Sequence, residues 1–195
     1  MRPLLLASAS PRRREMLERV GVPLEVRAAD IDESWHEGED PAAYVARIAR
    51  DKARAVVRQP GQWVLAADTT VTIDRKILAK AADGAEAAAM LRLLSGRVHQ
   101  VTTAVTILGE TTRDLLVTTD VDVIALDETA ITGYVASGEW RGKAGAYAIQ
   151  GIAAAFIREV RGSVTNVMGL PLVEVLEALR TLGAPGPDLA AGKPA

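Results

Sequence analysis

The chain has 195 residues, of which 49% are hydrophobic and 25% are charged, and its formal net charge is only −2. This balance is typical of an ordinary globular protein and does not call for a nucleic-acid-binding face. The absence of cysteine excludes disulfides, thiolate nucleophiles and cysteine-bound metals. No apolar run reaches the roughly 18 residues of a membrane span, and the one after Pro3 is too short for a signal peptide. We therefore expect a cytoplasmic protein with neither a membrane nor a nucleic acid among its partners.

The first third of the chain alternates short apolar runs with helical patterns. Residues 4–7 predict a buried strand, and residues 11–20 predict a helix that opens with a proline and ends before a glycine. Residues 24–28 predict a second strand. An Asp-Pro pair begins a helical stripe of apolar residues that continues over 40–57.

The rest of the chain mixes strands with further helices. The predicted elements are a strand over 64–67, a hairpin over 71–78 turning at Asp74-Arg75, a helix over 83–94, two long antiparallel strands over 98–124, a helix over 128–136, a strand over 155–160 and a helix over 171–182. Such a pattern predicts an α/β fold with a mixed sheet. We expect one domain over residues 1–183 and a disordered Pro-, Gly- and Ala-rich tail over 184–195.

Two serines and three arginines surround the start of the first predicted helix. Ser8 and Ser10 precede the arginines at 12–14, where the N–H groups of a helix start can bind an anion. The helix dipole disfavours each cation there by about 0.3–1 kcal/mol, so these arginines indicate that an anion such as phosphate lies nearby. The alternative is that Ser10 only caps the helix and the arginines pair in water with Glu15 and Glu18.

Several carboxylates and lysines are candidates for phosphate chemistry. Asp68 follows an apolar strand, and Asp32 and Glu33 lie in a polar loop. Carboxylates without a paired histidine suit Mg²⁺ or Mn²⁺, which bridges phosphates and polarises water, and one carboxylate can instead accept the proton of the water. Lys52 and Lys80 are candidate phosphate contacts. The alternatives are that Asp68 is a turn or cap residue and that the lysines are simply solvated.

A glycine-rich loop covers residues 142–151. It has neither the spacing of a Walker loop nor a G-x-G-x-x-G dinucleotide motif. Its one amide, Gln150, can donate and accept hydrogen bonds together, which matches the imide edge of uracil or thymine. The alternative is that the glycines only form tight turns. His36 and His99 have no metal-ligand spacing, and we expect both at the surface.

Together these segments resemble the Maf family of nucleoside triphosphate pyrophosphatases, once described as septum formation inhibitors. The resemblance covers nearly the whole chain and is carried by residues 8–13, 44–53, 67–69, 143–151 and 166–172, in that order. It implies an elongated α/β fold of the Maf/ITPase-like kind, with a mixed sheet flanked by helices and a central cleft, often dimeric. It also implies hydrolysis of a nucleoside triphosphate between its α- and β-phosphates with a divalent metal, Mg²⁺ or Mn²⁺.

The resemblance also assigns roles to residues. Asp68 would be the general base and would hold the metal with Glu33, while Lys52 and Lys80 would complete the catalytic set. The substrate-binding residues would be Ser8, Ser10, Arg12, Arg13, Thr69 and Gln150. Arg12, Thr69 and Gln150 match the subgroup that acts on dTTP and UTP, which predicts a pyrimidine substrate cleaved to its monophosphate and pyrophosphate.

Two positions depart from the family pattern. Lys80 lies between Ala79 and Ala81 where many members have Gly-Lys-Pro, and Gly142 stands where an acidic residue usually precedes the Lys-Ala-Gly motif. Two alternatives stay open. These departures and the older name of the family allow a nucleotide-binding regulator of cell division with little turnover. Because one amide does not guarantee base choice, the other alternative is the same chemistry on modified purine nucleotides such as methylated GTP.

Overall fold

The computed structural model describes residues 2–187. Seven strands and six α-helices follow one another among these residues: β1 (Leu4–Leu6), α1 (Pro11–Arg19), β2 (Leu24–Val26), α2 (Pro41–Ala55), β3 (Val64–Ile73), β4 (Lys76–Leu78), α3 (Gly84–Leu94), β5 (Val98–Leu108), β6 (Thr112–Val123), α4 (Glu128–Ser137), β7 (Ile157–Arg161), α5 (Val164–Val167) and α6 (Leu172–Leu182). None of these helices, in the part of the chain described, is long and apolar enough to cross a membrane.

The strands form one mixed sheet, which confirms the predicted α/β class. The order is β2-β1-β3-β5-β6-β7, and β4 pairs with β3. β1 is parallel to both β2 and β3, with Leu5 opposite Val64, whereas β3–β4 and β6–β7 are antiparallel. All three β1 side chains are buried, as expected for a strand between two parallel neighbours.

The chain divides into two compact units. The first contains the residues up to Asp68, Ala104–Leu116 and the residues from Gly169 onward, and the second contains Thr69–Thr103 and Val117–Met168. The core of the first unit includes small and aliphatic side chains such as Leu5, Val64 and Ala66. The larger core of the second unit adds the aromatic side chains Tyr134, Trp140, Tyr147 and Phe156. The prediction of a single domain over 1–183 stays a prediction.

Most of the predicted element starts are confirmed. Pro11 begins α1, and the Asp40 side chain caps α2 by accepting hydrogen bonds from two N–H groups of its first turn. β3 is ten residues long and joins the predicted strand over 64–67 to the predicted hairpin. The threonines after Asp68 extend it, since β-branched residues favour strands. The short helix α5 was not predicted, and Ser163 begins it by accepting a hydrogen bond from Asn166 N–H.

The predicted tail over 184–195 lies mostly outside the described residues, which end at position 187. At its start Ala184 is buried, and its N–H donates to Leu179 O at 2.9 Å. These first residues of the segment therefore pack beside the end of α6.

His99 is buried, and the prediction of a surface position for it is wrong. Side chains alternate along β5, so Val98 and Gln100 are exposed while His99 and Val101 face the core. His99 Nε2 lies 2.8 Å from the hydroxyl oxygen of Tyr147. Burial lowers the pKa of His99 to about 4, with a smaller opposing effect from Asp120. The surface prediction for His36 is confirmed, because that side chain is exposed.

Candidate active site

The start of α1 carries the two serines and the arginines. Within the described part of the chain the Ser10 side chain makes no capping hydrogen bond, and its N–H instead donates to Ser8 Oγ at 3.2 Å. The alternative in which the Ser10 side chain caps the helix is therefore wrong. The first turn consists of Pro11, Arg12 and Arg13, so the positive charge of the arginines adds to the positive end of the helix dipole.

Arg13 is the one of the three arginines that turns into the protein. Its side chain is buried, and Nε donates to Gly169 O at 2.8 Å while Nη1 donates to Ser8 Oγ at 3.2 Å. Burial lowers the pKa of Arg13, and the negative charges of Asp68 and Glu33 oppose that effect. A buried guanidinium near two carboxylates cannot be explained as a solvated surface charge.

The neighbouring arginines differ from Arg13. Arg14 is exposed and pairs with Glu18 at 3.6 Å. Arg12 is half-buried, and burial lowers its pKa while the charge of Glu15 raises it. The alternative of pairing in water with Glu15 and Glu18 therefore fits Arg14 best, fits Arg12 in part and fails for Arg13.

Lys52 lies between Asp68 and Glu33, two of the three carboxylates predicted to belong to the site. It extends from the buried face of α2, and Nζ lies 2.8 Å from Asp68 Oδ1 and 3.0 Å from Glu33 Oε1. Only 10% of the Lys52 side chain and 12% of the Asp68 side chain are exposed, whereas Glu33 is 43% exposed. This geometry does not fit the alternatives in which Asp68 is only a turn residue and Lys52 is solvated. Burying a charged group costs free energy, so buried charges such as these are found paired with an opposite charge.

The loop that carries Glu33 is held by α2. Tyr44 donates its hydroxyl hydrogen to Glu33 O at 2.9 Å, and Arg47 Nη2 donates to Ser34 O at 3.0 Å. Arg47 also forms a two-bond pair with Glu39, with distances of 2.8 and 2.7 Å. Burial raises the pKa of Tyr44, and the charges of Asp68 and Glu33 raise it further. Neither Tyr44 nor Arg47 was predicted as a site residue, although side chains three residues apart on a helix are neighbours and could have indicated a shared role.

Asp68 and Glu33 supply oxygen ligands of the kind that Mg²⁺ and Mn²⁺ prefer. Among residues 2–187 no group of three Asp, Glu or His side chains comes together as a metal cage made by the protein alone would require. Mg²⁺ is commonly held by one or two carboxylates together with substrate phosphates, so two carboxylates fit a metal that arrives with its nucleotide. Asp32 does not belong to this pair, because it is exposed and accepts a hydrogen bond from Ser34 N–H at 2.9 Å.

The second unit contains the other predicted site residues. Thr69 Oγ1 lies 2.9 Å from Thr103 Oγ1 and is half-buried. The side chain of Lys80 is exposed, but its backbone forms a β-bridge with Ala144. Gln150 is exposed in the glycine-rich loop.

Tight turns account for two glycines of that loop. Gly142 and Gly145 have φ angles of 67° and 66°, a left-handed conformation that glycine adopts without strain. A Cβ on Gly145 would also lie 2.9 Å from Val71 Cγ1. Gly145 N–H donates to Leu78 O at 3.0 Å, which fastens the loop to the strand before Lys80. Both glycines therefore lie in tight turns, and a role of the loop in binding stays a prediction.

The structure thus groups the predicted residues in two sets. The first unit brings together Ser8, Arg13, Glu33, Lys52 and Asp68, with Ser10 and Arg12 on the adjoining helix start. The second unit carries Thr69, Lys80 and Gln150.

Comparison with known proteins gives consistent relatives. A sequence model of the family described as Maf-like protein matches residues 3–182. A protein from Anaeromyxobacter sp. (strain Fw109-5) named dTTP/UTP pyrophosphatase is 50% identical over 198 residues, which cover 98% of this chain and 95% of that protein. Proteins of the same name from Myxococcus xanthus (strain DK1622) and Sphingopyxis alaskensis are 50% and 51% identical, covering 94% and 93% of this chain and 94% and 97% of those proteins.

Among solved structures, a HAM1 protein from Coxiella burnetii covers 93% of this chain and 100% of that chain. Its TM-score is 0.48 and its sequence identity is 17%. The assignment to a family is therefore based on the sequence relatives alone.

Proposed function

This chain belongs to the Maf-like protein family, and we propose that it is a nucleoside triphosphate pyrophosphatase that converts dTTP and UTP to the monophosphate and pyrophosphate. The observation that carries the proposal is the contact of Lys52 Nζ with both Asp68 and Glu33. The site contains two carboxylates and a buried ammonium, with the charge of Arg13 nearby. Such a set of groups can bind phosphate oxygens and orient an attacking water in the same site.

Phosphate binding is proposed for the start of α1. Arg13 presents a guanidinium whose orientation is fixed by Gly169 O and Ser8 Oγ. Arg12 adds a second permanent positive charge in the same turn. Together with the helix dipole, these groups favour a polyanion over a neutral ligand.

A divalent cation, when bound, would neutralise charge on the phosphates, and we propose Asp68 and Glu33 as its protein ligands.

The next proposal concerns the water that attacks the α-phosphorus. Asp68 takes a proton from this water as the new P–O bond forms and the bond to the β-phosphoryl group breaks, which releases pyrophosphate. Lys52 orients the Asp68 carboxylate through the 2.8 Å contact.

Base choice is proposed for Thr69, Gln150 and Arg12. An amide that donates and accepts together is complementary to the imide edge of uracil and thymine. The test is to compare kcat/KM for dTTP, UTP, CTP and methylated GTP in wild type and in Gln150→Glu. We expect the variant to lose preference for dTTP and UTP. An unchanged preference would show that Gln150 does not read the base, and a wild-type preference for methylated GTP would favour the purine alternative.

The regulator alternative is motivated by the older name of the family and by Ala79, Ala81 and Gly142, which depart from the family pattern around Lys80. The backbone at Lys80 is nevertheless held by the bridge to Ala144, and the backbone just before it is held by Gly145 N–H, which lies within hydrogen-bond distance of Leu78 O and Ala79 O. The relaxed turn that motivated the regulator therefore has a compensating contact, and catalysis is the function we propose.

The cytoplasmic location and the homodimer stay predictions from the sequence. A light-scattering mass measurement on the purified protein tests the second of them directly. A mass of one chain at working concentrations would contradict the homodimer.

A further inference from the structure

We propose that Lys52 competes with the divalent cation for Glu33 and Asp68, so that the protein without nucleotide binds this cation weakly. The inference rests on the proposed function, because it takes these two carboxylates as the metal ligands. It goes further by giving the Lys52 ammonium a second effect, which is to occupy the oxygens that the metal needs. The observations that carry it are the contacts of Lys52 Nζ with Asp68 Oδ1 at 2.8 Å and with Glu33 Oε1 at 3.0 Å.

The ammonium and a divalent cation cannot share these two oxygens without strong repulsion. Mg²⁺ lies about 2.0–2.1 Å from its oxygen ligands. Because Nζ lies 2.8 Å from Asp68 Oδ1, an ion bound to that oxygen could be at most about 5 Å from the ammonium. The same limit applies at Glu33 Oε1. Like charges at this separation repel, and solvent weakens the repulsion little because the Lys52 side chain is buried.

The charge balance of the site also disfavours a divalent cation in the absence of nucleotide. Burial lowers the pKa of Arg13 while the charges of Asp68 and Glu33 raise it, so this guanidinium lies within electrostatic reach of both carboxylates. The charges of Lys52 and Arg13 therefore balance those of Asp68 and Glu33. These four groups carry no net negative charge that would attract the ion. A triphosphate brings several negative charges, and the affinity for the metal should rise with it.

The contact between Lys52 and Glu33 is the one that we expect to open. Glu33 is 43% exposed, whereas the Asp68 side chain is buried, so water and ions reach Glu33 more easily. The lysine stem is flexible, and its ammonium acts as a point charge without a fixed planar geometry. Lys52 can therefore keep the contact that orients Asp68 in the proposed reaction while the Glu33 side chain turns to the metal.

A purely orienting role of Lys52 predicts the opposite effect on metal binding. A partner that orients a metal ligand strengthens metal binding, and its removal commonly lowers the affinity about 10–100-fold. If Lys52 competes with the metal, its removal raises the affinity instead. The sign of the change therefore distinguishes the two roles.

The experiment measures binding of Mn²⁺ alone, without nucleotide, by electron paramagnetic resonance of the free ion in wild type, Lys52→Met, Lys52→Arg and Arg50→Met. We expect Lys52→Met to bind Mn²⁺ about tenfold more tightly than wild type, because the competing charge is gone. Lys52→Arg keeps the charge and should bind as weakly as wild type. Arg50→Met is the matched control, since it removes an exposed positive charge from the same helix and should also bind like wild type.

Two further variants locate the gained affinity and protect the test against a folding defect. Addition of Asp68→Asn to Lys52→Met should abolish the gain, because one of the two carboxylates is then missing. Circular dichroism and urea unfolding check the fold of every protein. Lys52→Gln, which is also uncharged, replaces the methionine variant should that variant not fold.

Unchanged or weaker Mn²⁺ binding in the folded uncharged variant overturns the inference. A gain that survives Asp68→Asn, or that also appears in Lys52→Arg or Arg50→Met, overturns it as well. The result does not depend on turnover, because no nucleotide is present. If wild type releases no pyrophosphate from UTP, the proposed function fails, and tighter Mn²⁺ binding by Lys52→Met still supports the competition.

Discussion

Lys52 Nζ lies 2.8 Å from Asp68 Oδ1, so a buried ammonium on α2 contacts a buried carboxylate on β3. The same nitrogen reaches Glu33 Oε1 at 3.0 Å. One positive charge is therefore shared by two negative charges, and we expect the loss of Lys52 to leave two carboxylates without their counter-ion.

Replacement of Lys52 by methionine should lower the free energy of unfolding by about 3 kcal/mol, because the two carboxylates lose their counter-ion. Urea denaturation measures this loss. Addition of Mg²⁺ should restore part of it, since a cation can then compensate Asp68 and Glu33.

Arg50→Met is the matched control on the same helix. Arg50 pairs with Asp114 at 2.9 Å in an exposed position, so its loss should cost less than about 1 kcal/mol. Equal losses for the two variants would contradict the role of Lys52 as a buried counter-ion.

Asp68→Asn separates an enzyme from a nucleotide-binding regulator. We expect turnover of UTP to fall at least about 100-fold, because asparagine cannot accept the proton of the attacking water. Binding of a non-hydrolysable UTP analogue, measured by calorimetry, should persist. Asp74→Asn in the hairpin turn is the control and should retain full turnover, since Asp74 is exposed and pairs with Arg97. A wild type that binds but does not turn over any triphosphate would favour the regulator.

Tyr44→Phe should weaken the response to metal while leaving the fold intact. The variant loses the 2.9 Å hydrogen bond to Glu33 O, so the loop that presents the Glu33 carboxylate is held less firmly. We expect the Mg²⁺ concentration for half-maximal activity to rise about tenfold, as is common when a partner that orients a ligand is removed. An unchanged Mg²⁺ requirement would indicate that Glu33 is not a metal ligand or that Tyr44 does not orient it.

The lowered pKa of His99 predicts that the free energy of unfolding decreases in mild acid. Its pKa is about 4 in the folded protein, below the value of about 6.5 for an unfolded chain, so only the unfolded state takes up this proton between those values. The contribution of neutral His99 is complete above about pH 6.5 and is lost as the pH falls toward 4. Asp120 opposes the shift, and the Tyr147 hydroxyl stays protonated because burial raises its pKa.

Urea unfolding of wild type and His99→Gln at pH 7.5 and 5.0 isolates this effect. The decrease in wild-type stability between the two pH values should exceed that of the variant by about 2 kcal/mol. Identical decreases would show that His99 is not held neutral in the folded protein.

Two glycines of the loop over 142–151 should respond differently to alanine. Both have positive φ angles, but a Cβ on Gly145 would meet Val71 whereas nothing lies within 4 Å of one on Gly142. Gly142→Ala should cost about 1 kcal/mol through backbone strain, and Gly145→Ala about 3 kcal/mol because the clash is added. Thermal denaturation of the two variants gives the comparison, and equal costs would rule out the clash as a cause.

Local signals in the sequence were enough to predict most elements. Pro11, the Asp40-Pro41 pair and the turn at Asp74-Arg75 act within a few residues, and the structure has a helix start or a turn at each of them. The length of β3 was underestimated because polar residues after Ala67 interrupt the apolar run although they stay in the strand.

The residues of the site were harder to predict from the sequence than the helices and strands. Which of several similar neighbouring residues belongs to the site depends on which side chain is buried there. The sequence alone does not distinguish the three consecutive arginines from one another. The Arg13 side chain extends from α1 in the direction that brings it to Ser8 and Gly169. Glu33 and Asp32 are adjacent in the same way, and only Glu33 pairs with Lys52. The prediction that His99 lies at the surface was wrong for the same reason, because the side chain of His99 lies on the buried face of β5.

The central claim is that this protein releases pyrophosphate from a pyrimidine nucleoside triphosphate. The most direct measurement is ³¹P NMR of the products formed from UTP by the wild-type protein with Mg²⁺, with Asp68→Asn as the blank. The account predicts UMP and pyrophosphate in equal amounts, with at least about 100-fold less of both formed by the variant in the same time. Formation of UDP and free phosphate would contradict it.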